Sequence, residues 1–139
     1  MKTGILAIMS GIIIQFLLIT VAAYFQLSPE GGASLNLLTA QWWIHAVILS
    51  FLLLWTIFEE WLFRGLLWKL FAYLGDYAAL ISVSVLFALA HFTLGPIDVL
   101  LLLPFSFILG LWRLKAGLKA SMLCHLAFNI AGISISILS

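Results

Sequence analysis

Residues 41–70 read QWWIHAVILSFLLLWTIFEEWLFRGLLWKL. Trp42 and Trp43 open the stretch as an interfacial aromatic pair, an apolar run follows from Ile44 to Phe58, and apolar residues resume after Arg64 as far as Leu70. No proline or glycine interrupts Gln41 to Arg64, so the stretch reads as one long helix. At 1.5 Å rise per residue it is roughly 45 Å long, more than a bilayer core of about 30 Å, so it must tilt or protrude. Inside it stands Glu59-Glu60-Trp61-Leu62-Phe63-Arg64, three charges within an apolar helix.

The rest of the chain has the same character. Of 139 residues, 65% are hydrophobic and 8% charged, with mean hydropathy +1.27. Soluble domains are about 45–50% apolar and about 25% charged. This composition excludes an ordinary soluble domain, a disordered chain and a nucleic-acid partner, which calls for a basic face. The reading is an all-α, polytopic transmembrane helix bundle of about five spans, one domain over residues 1–139.

A first span covers about Gly4 to Phe25. Lys2 and Val21-Ala22-Ala23 would serve a signal peptide, but the apolar run is long for one and more membrane follows, so the span is read as retained. Ser28-Pro29-Glu30-Gly31-Gly32 is a turn cluster, leading to a semi-polar stretch that ends at Thr39. After the long helix, Gly75-Asp76 turns the chain into a third span, Tyr77 to Phe92. Leu94-Gly95-Pro96 breaks it before a fourth, Ile97 to Trp112, with Pro96 suited to a helix start and Pro104 expected to kink it. Arg113, Lys115, Gly117 and Lys119 read as a basic loop, and a fifth span covers Ala120 to Leu138. The single cysteine, Cys124, cannot form an internal disulfide.

Five spans put Lys2, Lys69, Arg113, Lys115 and Lys119 on one side, with Glu30 and Asp98 on the other. Cationic loops stay inside, so the expected amino terminus is cytoplasmic and the carboxyl terminus outside.

Ionisable residues within spans are costly, at least about 2.5–3.5 kcal/mol at mid-membrane, and are functional candidates by default. Three groups qualify. Glu60 and Arg64 are four apart and can pair, while Glu59 lies about 100° round the helix from Glu60, free to face a cavity as a general-base candidate. Phe87-x-x-x-His91 shares a face deep in span three, and His125-x-x-x-Asn129 points two polar side chains into one groove of span five. Each also has a structural reading: an interfacial ion cluster, a packing histidine, and hydrogen-bonded glue between helices. Counted along straight helices from the cytoplasmic ends, Glu59, His125 and His91 lie roughly 15, 9 and 22 Å deep, around mid-membrane but not level. Asp98 reads as the cap of span four and His45 as an interface residue. Ser82, Ser84, Ser106, Ser121, Ser134 and Ser136 read as small packing residues. No Gly-x-Ser-x-Gly or His-Glu-x-x-His is present.

Glu59-Glu60-Trp61-Leu62-Phe63-Arg64-Gly65, Phe87-Ala88-Leu89-Ala90-His91 and His125-Leu126-Ala127-Phe128-Asn129, in this order on separate apolar segments, resemble the CPBP intramembrane protease family. That family is also called the abortive-infection family, and it includes the type II CAAX prenyl endopeptidase. The resemblance covers residues 41–137 as a protease core. It departs at Trp55-Thr56-Ile57-Phe58, where many members carry a proline ahead of the glutamates, and many members have further spans.

The resemblance implies an endopeptidase in which Glu59 and His91 activate a water, His125 and Asn129 stabilise the oxyanion, and Glu60 and Arg64 hold the geometry. It implies no required cofactor in the preferred form. Zinc on Glu59, His91 and His125 is the alternative, since the family has also been named a metalloprotease family. The expected partners are the lipid bilayer and a peptide or membrane-anchored protein substrate, entering a cavity open to the cytoplasmic side of a prokaryotic inner membrane. Two non-enzymatic readings compete: a membrane peptide-binding or immunity protein, and a small proton-coupled transporter.

Overall fold

The structure is a computed structural model that describes residues 2–25, 27 and 42–138, excluding the side chains of Trp42, His45 and residues 136–138. The turn cluster Ser28–Gly32, the stretch ending at Thr39, and the roles assigned to Trp42, His45 and Ser136 lie outside what is described.

The described residues are helical almost throughout. Helix α1 is Lys2–Tyr24 and α2 is Trp42–Glu60. A π-helical segment, Trp61–Leu67, joins α2 to α3 (Trp68–Phe71), which ends in a 3-10 turn at Ala72–Leu74. Then come α4 (Asp76–Ala90), a second 3-10 turn (Phe92–Leu94), α5 (Pro96–Ala116) and α6 (Leu118–Leu138). Among the described residues five runs are long and apolar enough to cross a membrane: Lys2–Tyr24, Ala46–Leu74, Asp76–Leu94, Pro96–Ala116 and Leu118–Ile135.

The expected single α-helix through Arg64 is corrected by the π-helical segment. Its wider turns bring the backbone carbonyl of Arg64 to Arg113 Nε, which donates to it at 2.9 Å, and π segments commonly occur at functional sites. The expected basic loop is also corrected. Helix α5 runs through Pro104 to Ala116 and α6 starts at Leu118, leaving Gly117 alone between them. Arg113 and Lys115 thus occupy the last turn of α5, where cations offset the negative end of the helix. Gly75, Gly95 and Gly117 make the three short turns at φ 104°, 126° and 85°, values at which a side chain would be strained.

Membrane helices gain little from apolar burial against each other, so close packing depends on small residues. Gly11 of α1 lies against α6 so tightly that a Cβ there would meet the carbonyl of Cys124 at 2.1 Å. Gly4 faces Leu123 and Gly132 faces Gln15, so α1 and α6 run parallel. Trp112 Nε1 of α5 donates to Ser10 Oγ at 2.7 Å and binds the same seam from the other side. Gly110 of α5 admits Leu80 of α4 in the same way. Phe87, Phe105, Leu109 and Val83 fill the core between them.

Lys2, Lys69, Arg113, Lys115 and Lys119 fall at one end of this bundle: α1 and α6 start there, α5 ends there, and Arg113 packs over Trp68, next to Lys69. Towards the other end α2 stands apart. Among its described side chains only Thr56, Glu59 and Glu60 are buried, and Phe51, Trp55 and Phe58 form an exposed aromatic ladder.

Candidate active site

Glu59 and Glu60 are adjacent at the end of α2 and face different surroundings. Glu60 is wholly buried and holds three partners. Arg64 Nη1 lies 3.2 Å from its Oε1. Ser121 Oγ donates to its Oε2, and His125 Nδ1 donates to Oε1 at 3.0 Å. Arg64, equally buried, extends the network by donating from Nη2 to Ser106 Oγ at 2.6 Å and to the Ser106 carbonyl at 3.1 Å. Its guanidinium lies over the Phe87 ring, 4.3 Å from the centroid. A buried ion pair needs such additional hydrogen bonds to offset its lost hydration.

The serines overturn an expectation. Ser106 and Ser121 are not generic packing residues: each is fully buried and supplies a hydroxyl to the Glu60–Arg64 pair. In sequence nothing separates them from Ser82 or Ser134, because their partners lie 42 and 61 positions away.

Glu59 turns to the two imidazoles. Its Oε1 lies 3.4 Å from His91 Nε2 and its Oε2 lies 3.7 Å from His125 Nε2. Each ring is anchored through its other nitrogen. His91 Nδ1 donates to the Phe87 carbonyl at 2.8 Å, and His125 Nδ1 donates to Glu60. Both Nε2 atoms therefore face the carboxylate. Phe87 packs against both imidazoles, with centroids 4.7 Å from His91 and 5.7 Å from His125, and Phe105 meets His125 edge-on. The separations to Glu59 are wide for direct hydrogen bonds and group both Nε2 atoms about the carboxylate at the cavity.

Asn129, one turn along α6 from His125, donates from Nδ2 to Thr56 Oγ1 at 2.9 Å. Thr56 is a functional neighbour that sequence reasoning passed over. It stands in the tetrapeptide that departs from the family pattern, and it is buried.

Two expectations about position are corrected. His91 is not deep within a helix. It caps the end of α4 with φ −94° and ψ 11°, and its approach to Glu59 removes the uneven depths counted along straight helices. The π-helical segment between Glu59 and Lys69 breaks the straight α-helix which that count assumed. Asp98 is not a cap either. Gly95 takes the N-cap position of α5 and Asp98 sits in its first turn.

Glu59, His91, His125 and Asn129 line a cavity of about 500 Å³ whose other walls are mostly apolar, from Leu18, Phe51, Trp55, Leu101 and Phe128. Its lining comes from the second half of α1, from α2, from the end of α4 and from the first half of α5. The cavity thus occupies the half of the bundle remote from the basic end.

The same residues were expected as alternative zinc ligands. Among the described residues no group of three or more His, Cys, Asp or Glu side chains is arranged to hold a metal ion.

The family model described as type II CAAX prenyl endopeptidase Rce1-like matches residues 40–131. No curated protein and no solved structure matches the chain.

Proposed function

Because the chain belongs to the Rce1-like type II CAAX prenyl endopeptidase family, a family of membrane proteases, we propose that it is an intramembrane endopeptidase that hydrolyses a peptide bond with a water held between Glu59 and His91. The observation that carries this reading is the position of Glu59 between two imidazole Nε2 atoms at the inner end of an apolar cavity.

The tautomers supply the roles. His91 donates its Nδ1 proton to the Phe87 carbonyl, so neutral His91 presents an Nε2 lone pair beside the Glu59 carboxylate. Two acceptors about one water are suited to remove its proton as its oxygen attacks the peptide carbonyl. The proton stays on the Glu59–His91 pair and then passes to the leaving amine as the C–N bond breaks.

The oxyanion needs donors. Asn129 has an amide N–H, turned towards Thr56 in the resting site. His125 uses Nδ1–H on Glu60, so it donates from Nε2 only when the ring carries two protons. The Glu60 carboxylate holds the ring in place through that bond, and Arg64 with Ser121 fixes Glu60. Donors held in place within an apolar cavity act more strongly than in water.

The membrane topology belongs to the same proposal: Lys2 and the basic turns are cytoplasmic by the charge rule, and the cavity then faces the opposite leaflet. The decisive experiment incubates purified protein with a peptide library and compares wild type with Glu59→Ala by mass spectrometry. Expected are discrete wild-type products that the variant does not form and that persist in chelator. Products common to both proteins refute the assignment of Glu59. Activity that vanishes on chelation and returns with zinc refutes the metal-independent step. A non-catalytic peptide binder would give no products at all.

A further inference from the structure

Helices α2 and α6 meet through matched polar pairs. Thr56 precedes Glu60 by four residues, and Asn129 follows His125 by four. Glu60–His125 closes at 3.0 Å and Thr56–Asn129 at 2.9 Å. The two helices therefore run antiparallel here and carry two polar rungs one turn apart, a rise of about 6 Å on each. Thr56 is 1% exposed, and no described side chain of α2 ahead of it is buried. Counted from the open end, it is the first described position at which α2 is buried.

An asparagine amide left to itself is loosely aimed, because its terminal torsion is broad. The Asn129 amide nitrogen carries two N–H groups. One is held by Thr56 Oγ1, and Asn129 lines the cavity together with Glu59, His91 and His125. The amide is planar, so an acceptor that holds one N–H also limits the direction of the other.

We propose that Thr56 is a positioning residue: its hydroxyl oxygen holds one Asn129 N–H so that the second is offered to the cavity, towards the oxyanion of the peptide under attack. Thr56 itself touches no reacting atom. The aiming of the amide stands on the hydrogen bond, and its effect on cleavage rests on the endopeptidase reading.

A threonine that served packing alone would act through its volume, which reverses the expectations for two variants. Valine keeps the volume and removes the acceptor; serine keeps the acceptor and removes a methyl group. Thr56→Val is expected to lower kcat by about tenfold on a library peptide that wild type cleaves, with KM little altered. A misdirected donor forfeits part of the about 10²-fold that deleting it costs. Thr56→Ser is expected to keep most of the wild-type kcat. On an Asn129→Ala background, Thr56→Val is expected to cost nothing further.

A second measurement needs no turnover. The chain has two asparagines, Asn36 and Asn129. Isotopic labelling of asparagine in the full chain in lipid nanodiscs therefore gives two side-chain amide groups by NMR, and Asn129→Ala assigns them. One Asn129 amide proton is expected to exchange with solvent more slowly than its twin in wild type and in Thr56→Ser, and both to exchange alike in Thr56→Val. Activity kept by valine and lost by serine, additive losses in the double variant, or amide protons indifferent to Thr56→Val overturn the inference. If no library peptide is cleaved while the amide protons respond as expected, the endopeptidase reading falls, the catalytic effect falls with it, and the orientation of Asn129 by Thr56 stands.

Discussion

The two ends of the bundle are built from the same helices and use polar groups in opposite ways. At the closed end, Glu60, Arg64, Ser106 and Ser121 are fully buried and turn to one another rather than to the cavity. At the open end, Glu59, His91, Gln15 and Asp98 line a cavity. His125 joins the two, with Nδ1 on Glu60 and Nε2 towards Glu59. The difference teaches that this protein separates holding from reacting by a single residue step along α2. Substitutions at the closed end should cost folding, and those at the open end should cost turnover.

The sharpest way to break that division is Arg64→Met. It strands the Glu60 carboxylate in the core, and the expected loss is about 3–5 kcal/mol of stability, read as a large fall in the thermal midpoint in detergent. An unchanged midpoint would mean that the closed end is not held by this pair. Glu59→Gln is expected to lower peptide cleavage by about 10²–10⁴-fold while leaving the midpoint close to wild type. A matching loss of stability would abolish the distinction. Asn129→Ala should reduce kcat by about 10²-fold with KM little altered; a pure KM effect would make Asn129 a binding residue. Gly11→Ala is the control away from both ends. It drives a methyl group into the Cys124 carbonyl and should cost about 1–3 kcal/mol by overpacking, with specific activity of the folded fraction preserved.

Much of this was legible in sequence. The spans follow from apolar length, and the Glu60–Arg64 pair follows from a spacing of four on a helix, seen at 3.2 Å. The separate fate of Glu59 follows from its angle to Glu60. What sequence did not carry was long-range. Ser106 and Ser121 became network members only once α5 and α6 packed beside α2. Thr56 gained meaning only from Asn129, 73 residues away. The π-helical segment has no proline to announce it; Arg113 stabilises it from a distant helix. The side on which the cavity lies was inaccessible, because it depends on which half of each helix recedes from the axis.

The single-glycine hinges at Gly75, Gly95 and Gly117 have a practical corollary for anyone wishing to tag or extend this polypeptide. Each joins two rigid rods with no spare length, so foreign sequence inserted there would have to pull those rods out of register.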